Sequence, residues 1–307
     1  MSTAGAEPVR SERSLRQLIA GHPVAAMLIL MFVIGWGFLI PAALLGVPLI
    51  PIPLLGAIFL AQLGPAVLVT WAGRGWPAVR QLFGRVFRWR VNLVWYALAL
   101  FLIPVLTYLW TAAVFGGGAL NALFTDRSLI LSYLSSLSIL PLVSLWEETA
   151  WMGIVQARIA TYRSALIAAA ITGPLFGLLH MPLQLGQPVG TFLFTMAALM
   201  IFGIPFRIVL GWMYNVTGGS ILIVALVHVT FDATNNNPIF VAASPGQIVL
   251  QPGGGAVQLV VLAWAIAVLI LSRGRLGART NSQAAEQSQP QVPASQPISD
   301  VTTAGPG

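Results

Sequence analysis

Eight stretches of about 20 mostly apolar residues dominate this chain. A bilayer's hydrocarbon core is roughly 30 Å thick, which about 20 helical residues cross. Within it every backbone N–H and C=O must find a partner inside the protein, so helices can cross it and irregular, lipid-exposed backbone cannot. The stretches fall near 23–46, 51–72, 92–115, 129–157, 164–183, 191–213, 219–234 and 256–272. Pro51 and Pro53 separate the first two, and Gly116 to Gly118 close the third, residues that suit a chain leaving the helical state. The expected fold class is all-α, a polytopic transmembrane helix bundle of about eight spans. Composition agrees, with 57% hydrophobic and 7% charged residues and a mean hydropathy of +0.86.

Charge sets the expected orientation. All fifteen basic residues are arginines, against eight acidic ones. Arg10, Arg13 and Arg16 precede the first span, and Arg74, Arg80, Arg85, Arg88 and Arg90 crowd the loop after the second. Arg158 and Arg163 follow the fourth span, and Arg273, Arg275 and Arg279 the eighth. Basic residues stay cytoplasmic during insertion, so these alternate loops place both termini in the cytoplasm. Arg207 then falls toward the inner end of the sixth span, and Arg127 lies outside. Trp76, Phe83, Phe87 and Trp89 interleave the most basic loop, a pattern suited to anionic lipid and not to nucleic acid.

The domain reading has three parts: a polar cytoplasmic head at 1–22, a bundle at 23–272, and a Gln-, Ser- and Pro-rich tail at 273–307 expected to be disordered. The head lacks the short apolar core of a removable signal peptide. The protein is expected to be a multi-pass integral protein of the cell membrane. With no Cys, disulfides, thiolate metal sites and a catalytic thiol are excluded.

Within the spans lie Glu147, Glu148 and Asp232, together with His180 and His228. A charge at mid-bilayer costs about 2.5 to 3.5 kcal/mol on insertion scales, so such groups point to function and an interior cavity. Glu147 and Glu148 are adjacent, about 100° apart on a helix, so only one can aim straight at a shared site. His228 and Asp232 are four apart on one face, where the carboxylate can orient the imidazole. Phe176 and His180 share the same spacing, which sets an aromatic wall beside the second imidazole. With an unbroken helical rise, Glu147 lies about 16 Å from Arg158 and His228 about 12 Å from Ser220, whereas His180 lies about 24 Å from Ser164 and so deeper.

Amide hydrolysis needs a base for water, a donor for the oxyanion and a proton for the leaving amine, and this set can supply all three. Glu147, His180 and His228 could instead hold a zinc ion with an open fourth position. The H-E-x-x-H pairing is absent, and Ser132, Ser135, Ser136, Ser138 and Ser144 read as polar relief and not as nucleophiles. Each group also has a structural explanation: the glutamates as helix caps, His180 as a hydrogen-bonded interior residue, His228 and Asp232 as a packing pair.

At these residues the chain resembles the CAAX-protease and bacteriocin-processing (Abi) family, intramembrane glutamic peptidases that include the type II CAAX prenyl endopeptidase. The family's E-E-x-x-x-R is similar to Glu147-Glu148-Thr149-Ala150-Trp151-Met152, here without its arginine. F-x-x-x-H corresponds to Phe176 through His180, and H-x-x-x-N or D to His228 through Asp232, over a core at 129–235. The resemblance implies that Glu147 activates water with help from His180, that His228 and Asp232 stabilise the oxyanion, and that Glu148 is a supporting carboxylate. No cofactor is then required, although zinc on Glu147, His180 and His228 stays open. The implied partners are a membrane-associated, possibly lipidated peptide and the bilayer. Met152 removes a cation that could neutralise the glutamate pair, which leaves a second reading of a non-hydrolytic scaffold. A third is a proton-coupled transporter with an acid–histidine relay.

Overall fold

A computed structural model describes residues 14–48, 52–115, 127–138, 143–236 and 255–278. The far head, the far tail and most of the Asn235–Gly255 loop lie outside the described residues, which are helical with no strand among them. Ser14 opens the first helix, α1 (Leu15–Gly21), with a capping box. Its hydroxyl accepts from the Gln17 N–H at 3.3 Å, and the Gln17 side chain accepts from the Ser14 N–H at 3.0 Å. Pro23 then occupies the first turn of α2 (Pro23–Leu44), where a missing N–H costs nothing.

The second apolar stretch runs further than expected. α3 (Ile52–Gly56) passes through a π-helical segment, Ala57–Leu63, into α4 (Gly64–Val86). Gly75, at φ 71, breaks the direction of α4 just before Pro77. Arg74, Arg80 and Arg85, expected on a loop, therefore sit on a helix, which α1 packs against. The amphipathic second half of α4 explains the difference: it buries Val79, Leu82 and Val86 and leaves the arginine side outward.

α5 (Leu93–Phe115) follows. The expected single span at 129–157 is not one helix: α6 (Arg127–Leu137) ends before α7 (Ser144–Ala150) begins. α7 continues through a second π-helical segment, Trp151–Gln156, into α8 (Ala157–Tyr162). The Ser-rich end of α6 competes for its own backbone: the Ser136 hydroxyl donates to the Ser132 carbonyl at 2.9 Å and that of Ser138 to Ser135 at 2.6 Å. α9 (Ala165–Leu179), capped by Ser164, stops short of the expected 183, and a 3-10 turn at Met181–Gln184 follows. α10 (Val189–Val216), α11 (Ile221–Asn236) and α12 (Ala256–Ser272) complete the described order.

Among the described residues, four helical stretches are long and apolar enough to cross a membrane: Pro23–Leu44, Ile52–Val86, Leu93–Val114 and Val189–Val216. α9, α11 and α12 are shorter apolar helices. Large apolar side chains such as Ile29, Val33, Phe101 and Leu109 face outward, as a surface in contact with lipid requires. α11 is the opposite case. It packs against α5, α7 and α10, with apolar residues buried around its circumference. Its start is tied down where the Ser220 hydroxyl donates to the Arg88 carbonyl at 2.7 Å and Arg88 donates to the Gly218 carbonyl at 2.8 Å.

α9 and α10 touch backbone to backbone. A Cβ on Gly173 would lie 2.5 Å from the Ile204 nitrogen, and one on Gly177 2.6 Å from the Leu199 carbonyl carbon. Gly173 and Gly177 are four apart, the spacing that lets membrane helices approach closely. Gly177→Val will force this crossing open and lower stability by about 1–3 kcal/mol, read as a fall in the detergent melting temperature. Gly190→Val, whose Cβ meets nothing within 4 Å, is the matched control.

Candidate functional site

The site forms where α7, α9, α10 and α11 meet. Glu147 and Glu148, on α7, divide as their 100° separation requires. Glu148 is fully buried, and both its oxygens accept from Arg207 Nη1 at 2.9 Å. Its Oε1 also accepts from His228 Nδ1 at 2.8 Å. An ionised carboxylate only accepts, so His228 carries a proton on Nδ1 and turns Nε2 the other way. That Nε2 stands 3.9 Å from the Glu147 carboxylate and 3.5 Å from Asp232, one helical turn along α11.

His180 closes α9 as its C-terminal cap residue. Its Nδ1 lies 2.9 Å from the Phe176 carbonyl, an acceptor, which puts the proton on Nδ1 and leaves Nε2 as the free lone pair. The indole N–H of Trp36, on α2, donates to the Leu179 carbonyl at 3.2 Å and holds this helix end. The Phe176 ring packs edge-on against both imidazoles, 4.9 Å from His180 and 5.6 Å from His228 between centroids. The aromatic wall expected beside one imidazole thus serves two.

Glu147, His180, His228 and Asp232 line one cavity of about 410 Å³. The greater depth expected for His180 from the rise along α9 does not keep it from the cavity that Glu147, His228 and Asp232 line. Glu148 and Phe176 stand behind this wall rather than in it. Among the described residues no group of three or more His, Asp or Glu side chains that could hold a metal ion is found.

Arg207, which the sequence places toward the inner end of the sixth span, is entirely buried in the bundle. Its Nε donates to Gln156 Oε1 at 2.8 Å, Gln156 Nε2 donates back to the Arg207 carbonyl at 3.1 Å, and its guanidinium lies 5.7 Å over the Phe176 ring. Gly211 makes room for this clamp, since a Cβ there would fall 2.5 Å from Gln156 Nε2. The signal was present in the sequence: an arginine inside the apolar run at 191–213 needs a carboxylate, and few carboxylates share the membrane with it.

The buried carboxylate pair, its arginine and the two facing imidazoles all fall within residues 127–234, which match the family described as type II CAAX prenyl endopeptidase Rce1-like. These residues are similar to the Rce1-like family over about a third of the chain. No curated protein matches the chain significantly. The Rce1-like family is one of membrane proteases, and the long apolar helices of this chain fit an integral membrane protein.

Proposed function

We propose that the protein is an intramembrane glutamic endopeptidase of the cell membrane that cuts a membrane-associated, lipidated peptide. The observation that carries this reading is the convergence of the Glu147 carboxylate and the unprotonated Nε2 of His180 on the cavity that also exposes His228 and Asp232. Glu147 takes a proton from water that His180 Nε2 aligns, and the resulting hydroxide adds to the scissile carbonyl carbon. His228, when Nε2 also carries a proton, donates it in a hydrogen bond to the oxyanion, and Asp232 orients that ring. As the C–N bond breaks, Glu147 returns its proton to the leaving amine, and the carboxylate is restored. Glu148 and Arg207 hold Nδ1 of His228 in place and leave the ring's other nitrogen for substrate.

No step needs a cofactor. Detergent-purified protein should cleave a quenched fluorescent library of prenylated C-a-a-X peptides, and chelation with EDTA should leave the rate unchanged. Stoichiometric zinc lost together with activity would overturn the metal-free mechanism. Cleavage only after Met152→Arg would overturn the assignment of activity to the natural chain.

A further inference from the structure

The stretch similar to the Rce1-like family supplies one side of the cavity, and residues before 127 supply the other. That second side is built by Met31, Gly35 and Leu39 of α2 and by Ala57, Ala61 and Gln62 of the first π-helical segment. Gln62 is its polar member and is 4% exposed. A π-helical turn inside an α-helix shifts the facing of the side chains that follow it and often marks a functional position. Here it places the Gln62 amide in the wall of the same cavity as the Glu147 carboxylate.

The chemistry of the carboxylate fixes which end of the amide can face it. An ionised carboxylate accepts only, so the Gln62 NH₂ faces Glu147, and Oε1 is left over. This oxygen is buried and has no hydrogen-bond partner. A buried acceptor without a donor is rare in native proteins, and the exceptions call for an explanation. In a cavity otherwise walled on this side by Met, Gly, Leu, Ile and Ala, the donor has to arrive with whatever fills the cavity.

We propose that Gln62 is a substrate-binding residue. Its Oε1 accepts a backbone N–H of the bound peptide next to the scissile bond while its NH₂ holds the Glu147 carboxylate toward the attacking water. This inference rests on the peptidase reading and narrows it to a substrate with a secondary amide at that position. Proline or any N-alkylated residue there is excluded, because it brings a carbon to an oxygen that requires a proton.

The test is a series of prenylated peptides, each N-methylated at one amide around the cut, assayed with the full-length wild type, Gln62→Leu and Gln62→Met. Both replacements suit an apolar helix, and their melting temperatures control for folding. One N-methyl position should cost the wild type about tenfold in kcat/KM, mainly through KM, and cost neither variant anything further. An equal penalty in wild type and variants, or variants that cut the unmethylated peptide as well as the wild type, overturns the role of Gln62 and leaves the peptidase reading intact. If the wild type binds the peptides by photo-cross-linking without cutting them, the peptidase reading fails and the same comparison of binding decides Gln62. Failure to bind any of the peptides overturns both.

Discussion

Glu147→Gln is expected to lower the rate of peptide cleavage by about 10³-fold or more, with KM nearly unchanged. The amide keeps the size of the carboxylate and one acceptor oxygen but cannot take a proton from water. Glu147 lines the cavity and stands 3.9 Å from His228 Nε2, whereas the buried ion pair belongs to its neighbour, so the variant should melt as the wild type does. Glu148→Gln provides the contrast. It leaves Arg207 charged and unpaired in the bundle interior, so stability and activity should fall together. A Glu147→Gln protein that still cuts at the wild-type rate would remove this residue as the base.

The second large effect concerns the arginine. Arg207→Met should destabilise the bundle by about 3–5 kcal/mol, because Glu148 would remain buried with no cation. Met152 is buried four residues after Glu148, at the start of the π-helical segment. Met152→Arg alone adds a second buried cation to a site that has one and should also be harmful. The double variant Met152→Arg, Arg207→Met is expected to recover most of the lost melting temperature and cleavage rate, a coupling that a double-mutant cycle measures directly. If the double variant is no better than the sum of the singles, the two positions are not interchangeable sources of charge. This result would also settle why a chain with Met152 can keep an ordered glutamate pair.

The places where the sequence was readable share one property: they depend on spacing within a single helix. Phe176 with His180, and His228 with Asp232, each lie one turn apart, and the structure puts each pair in contact because α9 and α11 are regular where those residues sit. The division of labour between Glu147 and Glu148 likewise follows from the angle between neighbours on a helix. What was hidden depends on breaks in regularity. The run at 129–157 is divided between α6 and α7, and π-helical turns at Ala57–Leu63 and Trp151–Gln156 reset side-chain facing in a way that helical spacing does not announce. Arg207 was assigned by counting charges at span ends, a rule for insertion that is silent about an arginine already neutralised by Glu148. Gln62 carries no charge, so a search for ionisable groups passes over it.

The two walls of the cavity come from different lengths of chain, and this separates what the protein does from what it does it to. The ionisable groups of the cavity lie between Glu147 and Asp232, while most of its apolar lining lies before residue 64. Substitutions in that earlier stretch can reshape preference without touching a reacting atom, provided Gln62 keeps its place. A lineage built on this plan could exchange its clientele by drift in α2 and the first π-helical segment alone. Transplanting residues 23–63 between two such proteins should therefore move selectivity and leave the cutting machinery with its host.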